Sequence, residues 1–443
     1  MRIKIKEKKL FKELINKNFG IKLNKVNSFC TDSREIKQND IFLSIKGKNV
    51  DSHQFIPDIL QKKPSIIFSE IDFNNKNIIK VKSTKETLKN ISIQWMKNFK
   101  NPIIGITGSN GKTTTKEMLN KIFSYKYNTN CTTGNFNSSI GLPINLFNFS
   151  LDANITILEM GANNPNEIKY LCDIAPPDYS LITNIQSAHI GNFKSLKELQ
   201  KTKFQIFDNT HDNGIIFENV DDYNIYNYFN GKQKKIRFGF ENRDVDFLGS
   251  IKKTKDNYDF FINGKKILNI RLNQIMAKNM LASYSIAHTY GISHNTILKA
   301  FKNFNFLDGR GKQIYKNGYL VVDDTYNANF ESFKNGIKNF MSISSKGRKI
   351  LVIGDMKELG KKNDIYHYEL GQYINSQRPE FVFSLGESIQ ITNSQIKNNY
   401  TSLKYFSDFQ SLIKELKNII TKNDAIYLKA SRSMKFENIV KNI

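Results

Sequence analysis

Short apolar, β-branched runs alternate with amphipathic stretches along most of this chain, the pattern of strands and helices taken in turn. The first 85 or so residues mix short elements, with strands predicted in Asp40–Gly47, Pro64–Glu70 and Asn77–Ser83. A helix is predicted from about Lys85 to Phe99, followed by the buried strand Ile103–Thr107 and a helix that turns Met118, Leu119, Ile122 and Phe123 inward. Ile155–Gly161 and Tyr179–Ile185 read as buried parallel strands that end in polar or small residues. NGIIFEN and KKIRFGF continue that series, and DVDFLGSI, YDFFING and KKILNIRL read as antiparallel hairpin strands. Helices around Met276–Tyr290 and His294–Phe304 close the region. A further alternation starts near Gly309, with strands YLVVDD, KILVIGD, EFVFSLG and AIYLKA and a last helix from Met434. The fold class is therefore α/β with three domains. A small α/β domain spans 1–84, and a central domain with a mostly parallel, P-loop-type sheet spans 85–308. A doubly wound, Rossmann-like domain spans 309–443.

The stretch between Ile103 and Leu119 carries the sharpest chemistry. A strand, the glycine-rich turn GSNGKTT and a helix start gather backbone N–H groups around one point, where the helix dipole also favours negative charge. That point suits the phosphates of ATP. Gly108, Ser109, Asn110, Gly111, Lys112, Thr113 and Thr114 form the cradle, with Lys112 reaching the outer phosphates and the Thr113 hydroxyl available to Mg²⁺. Ile106 stands where the strict G-x-x-x-x-G-K-[ST] pattern has its first glycine, and glycines fall instead at Gly105, Gly108 and Gly111.

At 443 residues and 39% apolar content the chain can bury more than one core. No run approaches the roughly 20 apolar residues of a membrane helix. The charged start MRIKIKEKKL lacks an apolar signal core, so a cytoplasmic protein without membrane insertion is expected. Cys30, Cys131 and Cys172 lie far apart, which supports neither a disulfide framework nor a metal knuckle. The net charge of +25 invites a nucleic-acid reading, but only nine of the 66 basic residues are Arg and the lysines are scattered without interleaved aromatics. No nucleic-acid partner is expected from this, although the charge favours encounters with anionic small molecules. Arg34, Arg310 and Arg432 sit in small, polar fragments, where a planar guanidinium serves carboxylate or phosphate as readily as a surface ion pair.

Candidate reactive residues cluster after the strands. Glu159 ends ITILE and could complete a magnesium site with Thr113 and a nucleotide. His189 follows the next strand and is either structural or a ligand for a second ion. Asp323 and Asp324 end YLVVDD, where carboxylates suit ribose hydroxyls. Turn chemistry accounts equally well for Asn327 and Asn329. Lys203 lies on a predicted helix and by itself says nothing in so lysine-rich a chain.

Together these fragments resemble the Mur ligase family, the ATP-dependent amide ligases of peptidoglycan synthesis. DSR at Asp32–Arg34, GITGSNGKTT, TGNFNSSIGLP, LEMGAN, AHIGNF, DDTYNAN, GDMKELG and LKASRSM occur in the family's order over nearly the whole chain. YNAN and GDM-ELG resemble the branch that adds D-alanyl-D-alanine, the alternative being a sibling that adds another amino acid. The resemblance implies that D-alanyl-D-alanine is joined to UDP-N-acetylmuramoyl-tripeptide through an acyl phosphate, by a monomer using ATP and two Mg²⁺ ions. It implies Thr113, Glu159, His189 and a carbamylated Lys203 around the ions, with Lys112, Glu159, His189 and Lys203 as the catalytic set. It places Asn279, Arg310 and Asp324 on adenine, phosphate and ribose. Ser33, Arg34, Asn135, Asn137, Tyr326, Asn327, Asn329, Lys429, Ser431 and Arg432 fall on the substrate side. The chain departs from the family pattern at Gly191 (usually an acid), Gln205 (Glu), Ser138 (Asn) and Ala430 (Gly). It departs again in LNQIMAKN, which lacks the usual residues before Asn279.

Overall fold

Three sheets follow one another along the chain in the computed structural model, which describes residues 1–47, 50–186, 190–226, 231–241, 244–254, 257–270 and 274–443. The first has five strands, Arg2–Lys4, Ser28–Cys30, Ile41–Leu43, Ile66–Ser69 and Ile78–Lys80, parallel apart from the first pair. The second has nine. Its parallel part runs Thr129–Cys131, Ile155–Glu159, Ile103–Thr107, Tyr179–Ile182, Ile215–Asn219, Lys234–Gly239 and Phe247–Lys253. Tyr258–Ile262 and Lys265–Ile270 complete it as antiparallel strands. The predicted hairpin is thus an extension of the central sheet, because Phe247–Lys253 pairs parallel to Lys234–Gly239 on its other edge. The third sheet runs Lys312–Lys316, Tyr319–Asp323, Ala425–Lys429, Lys349–Gly354, Phe381–Leu385 and Ser402–Phe406, with only the first pair antiparallel.

Most strands absent from the sequence reading, such as Thr129–Cys131 and Lys312–Lys316, are short or polar and lie at sheet edges, where one face or one ladder stays wet, while Ser28–Cys30 is buried inside the first sheet and too short to show a period. The last helix begins at Glu437 rather than Met434, because Lys435 turns left-handed (φ 54°) after the single turn Arg432–Met434.

The first and second sheets share a core across the helix Thr84–Met96, whose start is capped by Ser83 accepting from the Glu86 N–H. Trp95 on that helix is fully buried among Phe11 and Phe147, ring centroids 6.0 and 5.5 Å away, and donates its indole N–H to the Leu146 carbonyl at 2.9 Å. One side chain thereby locks the N-terminal sheet to the central one. Trp95→Ala is expected to destabilise the protein by about 3–5 kcal/mol through the cavity and the orphaned carbonyl. Denaturant unfolding followed by circular dichroism measures this, and a loss below about 1 kcal/mol would contradict it.

Candidate functional site

Ile103–Thr107 lies at the point in the central sheet where the connections reverse, with Ile155–Glu159 on one side and Tyr179–Ile182 on the other. A crevice opens there at the carboxyl ends of the strands. The glycine-rich turn fills it. Gly108 (φ 143°) has no room for a side chain, since a Cβ would collide with the Thr183 hydroxyl. Gly111 (φ 83°) caps the helix Lys112–Phe123 in a left-handed conformation, and a Cβ there would meet Asn279 Oδ1 at 2.5 Å. Gly105, by contrast, belongs to the strand and packs on Pro177 and Ile206, so the loop itself uses two glycines.

Asn110 between them is held from three directions. Its N–H donates to Asn184 Oδ1 (3.0 Å) and its side-chain amide to Gln186 Oε1 (2.7 Å). Its carbonyl accepts from the Thr183 hydroxyl (2.7 Å) and from Asn184 Nδ2 (2.9 Å). Thr183, Asn184 and Gln186 escaped the sequence reading, although the polar run TNIQ directly after a buried strand was the available signal.

The cleft above the turn has a volume of 760 Å³ and is lined by both the central and the C-terminal segments. Two hydrogen bonds cross it. Arg310 Nη2 donates to Thr113 Oγ1 at 2.9 Å, and Asn329 Nδ2 donates to Asn110 Oδ1 at 2.9 Å. Asn329 is also the N-cap of the helix Phe330–Ser342, in a capping box with Ser332, so its local role is turn chemistry even as its side-chain amide reaches across the cleft. The Arg310 guanidinium lies 3.9 Å above the Tyr326 ring, and that of Arg432 sits 5.5 Å from it. Asn327 Oδ1 accepts from the Arg432 N–H at 3.3 Å.

Glu159 is buried, accepts from Asn137 Nδ2 on Oε1 at 2.6 Å, and has no hydrogen-bond partner on Oε2. A buried carboxylate oxygen without a donor suits a hard cation, and the nearby Thr113 hydroxyl adds a second oxygen of the kind Mg²⁺ takes. Among the described residues no group of three His, Cys, Asp or Glu comes together, so phosphate oxygens would have to complete such a site. His189 lies outside the described residues. Lys112 donates to the Gly108 and Ser109 carbonyls at 2.8 and 3.3 Å. Burial lowers its pKa, Glu159 opposes that, and Arg310 adds to it. Lys203, on the helix Leu196–Asp208 capped by Ser195, is buried beside the cleft. Burial and then the charge of Lys112 hold its amine well below the ordinary lysine range.

Other predicted residues sit less simply. Asn135 and Asn137 line the cleft. Ser33 and Arg34 lie in the N-terminal domain and do not line it. The exposed Arg34 pairs with Asp32 at 2.7 Å, while the Ser33 carbonyl accepts from Lys62. Ser431 is buried and its hydroxyl accepts from the Lys357 N–H at 2.7 Å. Lys429 is buried and bonded to Asp324 and the Asn327 carbonyl.

Each departure from the family pattern except LNQIMAKN has a local structural reason. Gln205 donates to Asn166 Oδ1 (2.7 Å) and accepts from the Lys169 N–H (3.1 Å), pinning the start of the helix Glu167–Ile174. Ser138 Oγ accepts from the Gly141 N–H at the start of the helix Gly141–Leu146. The Ala430 methyl faces Gly354, which has none of its own. Gly191 donates its N–H to the Glu358 carbonyl at 3.1 Å, and a Cβ there would lie 2.6 Å from the Gly360 nitrogen. An acid at 191 has no room against the turn of GDMKELG.

Residues 106–287 match the family described as the Mur ligase middle domain, and residues 309–432 match the Mur ligase, glutamate ligase domain. A UDP-N-acetylmuramoyl-tripeptide–D-alanyl-D-alanine ligase of Buchnera aphidicola (subspecies Baizongia pistaciae) is 33% identical over 94% of this chain and 92% of its own length. The Bacillus subtilis protein of the same name is 28% identical over 94% and 93%. The crystal structure of a MurF ligase from Thermotoga maritima in complex with ADP superposes with a TM-score of 0.82, at 29% identity, over 93% of this chain and 96% of that one.

The Gly191–Gly360 contact joins the central and C-terminal segments directly. Gly191→Ala is expected to leave thermal unfolding unchanged but to expand the protein in small-angle scattering and lower ATP turnover several-fold. An unchanged scattering profile would remove the contact's role in holding the two parts together.

Proposed function

The chain belongs to the Mur ligase family, and from that premise we infer that it joins D-alanyl-D-alanine to UDP-N-acetylmuramoyl-tripeptide, with ATP as the driving nucleotide. The observation that carries this reading is the pair of bonds across the cleft. Arg310 on Thr113 and Asn329 on Asn110 bring a phosphate loop and the start of the second doubly wound sheet onto one space. Our boundaries for the three domains remain 84/85 and 308/309.

A carboxylate oxygen of the tripeptide attacks the terminal phosphorus of ATP, ADP departs, and an acyl phosphate forms. The amine of D-alanyl-D-alanine then attacks the acyl carbon, loses a proton, and phosphate leaves with the electrons of the C–O bond. Lys112, the N–H groups of Gly111–Thr114 at the helix start and Arg310 supply positive charge where the transferring phosphoryl group carries negative charge. Lys112 is now bonded to carbonyls of its own loop, so it exchanges those partners for phosphate when nucleotide arrives. We assign Asn279 to the adenine side and Asp324 to the ribose. Thr113 and Glu159 would hold one Mg²⁺, and His189 with a carbamylated Lys203 a second. Bound there, Mg²⁺ supplies charge neutralisation for the phosphates. Carbamylation needs a neutral amine, and the lowered pKa of Lys203 provides one. Ser33 and Arg34 are our assignment for the UDP end, and Asn135, Asn137, Tyr326 and Arg432 for the peptide side. We place the protein in the cytoplasm as a monomer; among the described residues no helix is long and apolar enough to cross a membrane.

Purified protein given ATP and Mg²⁺ is expected to release phosphate only when both UDP-N-acetylmuramoyl-tripeptide and D-alanyl-D-alanine are present. Release independent of either substrate would overturn the reading. Lys112→Ala should lower turnover by about a hundredfold or more, the effect of removing a donor from a preorganised phosphoryl site. For Lys203 the sign follows from the neutral form. Protein stripped of carbon dioxide should regain activity on adding bicarbonate, faster as pH rises at a fixed concentration of dissolved carbon dioxide, and Lys203→Ala should not respond. Recovery that ignores bicarbonate at every pH would remove the carbamate.

A further inference from the structure

Asp324 lines the cleft with a fifth of its side chain exposed, and two donors from inside the protein converge on its Oδ2. One is Lys429 Nζ at 2.7 Å, the other the Tyr427 hydroxyl at 2.7 Å. Tyr427 sits on the strand Ala425–Lys429, fully buried, with its ring stacked on Phe340 at 5.5 Å and 29°. Burial raises the phenol well above its ordinary pKa, so it stays a donor.

The hydroxyl reaches Asp324 through a gap in the helix Phe330–Ser342. At Gly336 a Cβ would collide with the Tyr427 hydroxyl and lie 2.8 Å from its Cζ and 3.1 Å from Asp324 Oδ2. Glycine weakens a helix interior, so its presence at the one point where the phenol passes has a packing cause.

We propose that Tyr427, passing Gly336, is a positioning residue for nucleotide binding: by holding Oδ2 of Asp324 together with Lys429, it presents the other carboxylate oxygen to a ribose hydroxyl. The proposal rests on the assignment of Asp324 to the ribose. A buried tyrosine without this role would serve packing alone, and Phe would replace it at no cost to nucleotide selection.

The test is steady-state kinetics of the intact enzyme with ATP and with 2′,3′-dideoxy-ATP, for wild type, Asp324→Asn, Tyr427→Phe and Gly336→Ala, each checked by thermal unfolding. Tyr427→Phe should raise KM for ATP by about tenfold, the order expected for one hydrogen bond to a charged group, with kcat within about twofold. With dideoxy-ATP the rise should vanish, because no hydroxyl remains to be oriented. Gly336→Ala should reproduce the ATP effect by displacing the phenol, and if it does not fold, the Tyr427→Phe comparison decides alone. An unchanged KM in Tyr427→Phe, or an equal rise with both nucleotides, would overturn the positioning role while Asp324→Asn still raises KM for ATP and not for dideoxy-ATP. If Asp324→Asn binds both nucleotides equally to wild type, the ribose assignment fails and the proposal with it.

Discussion

Asn110 sits in a turn of the backbone that only glycine neighbours allow, and its polar groups are engaged by separate parts of the chain. The end of the adjacent strand takes its N–H, its carbonyl and its side-chain amide through Thr183, Asn184 and Gln186. The C-terminal segment takes its remaining side-chain oxygen through Asn329. A buried polar loop is stable only when such groups are satisfied, and here their satisfaction fixes three things at once. It sets the curvature of the phosphate cradle, the position of the strand end beyond Tyr179–Ile182, and the approach of the third sheet. Gly108 and Gly111 are the steric condition for it, since side chains at either would strike Thr183 or Asn279.

Around this loop the charges are unbalanced in a way that suits anions. Lys112, Lys203 and Arg310 gather near one carboxylate, Glu159, one of whose oxygens has no donor. Burial pushes both lysines toward their neutral forms, with Glu159 opposing and Arg310 adding to it at Lys112, and the Lys112 charge adding to it at Lys203. Phosphate oxygens and a cation would relieve that imbalance together, which is why the donor set reads as half of a site completed by nucleotide. Arg310 is held flat against Tyr326 and aimed at Thr113, so its guanidinium is oriented before any ligand arrives.

Several residues that look like defects in the family pattern turn out to be matched to their surroundings. Gln205 bridges Asn166 Oδ1 and the Lys169 N–H at the start of a helix. Gly191 allows the close approach of Gly360, and Ala430 fills space left by Gly354. These are compensations between positions far apart in sequence, and a motif compared position by position cannot display them.

The chain's own pattern was sufficient for the alternation of strands and helices, the glycine turn with Lys112 and Thr113, and the acids at strand ends, because these depend on local periodicity, φ freedom and the habit of α/β sheets to expose polar residues at their carboxyl edges. Edge strands such as Thr129–Cys131 and Lys312–Lys316 were not legible, being too short or polar to carry a period. Nor were the partners of Asn110, the crossing bonds from Arg310 and Asn329, or the reach of Tyr427 past Gly336 to Asp324, each of which joins residues at least 70 positions apart. Ser431 and Lys429 show the same limit, since their motif says nothing of the bonds they make within the protein, to Lys357 and Asp324. Sequence determines which chemical groups stand at the ends of strands. Tertiary packing decides which of those groups face the cleft and which spend their hydrogen bonds on one another, because that choice depends on distances between elements that no local pattern encodes.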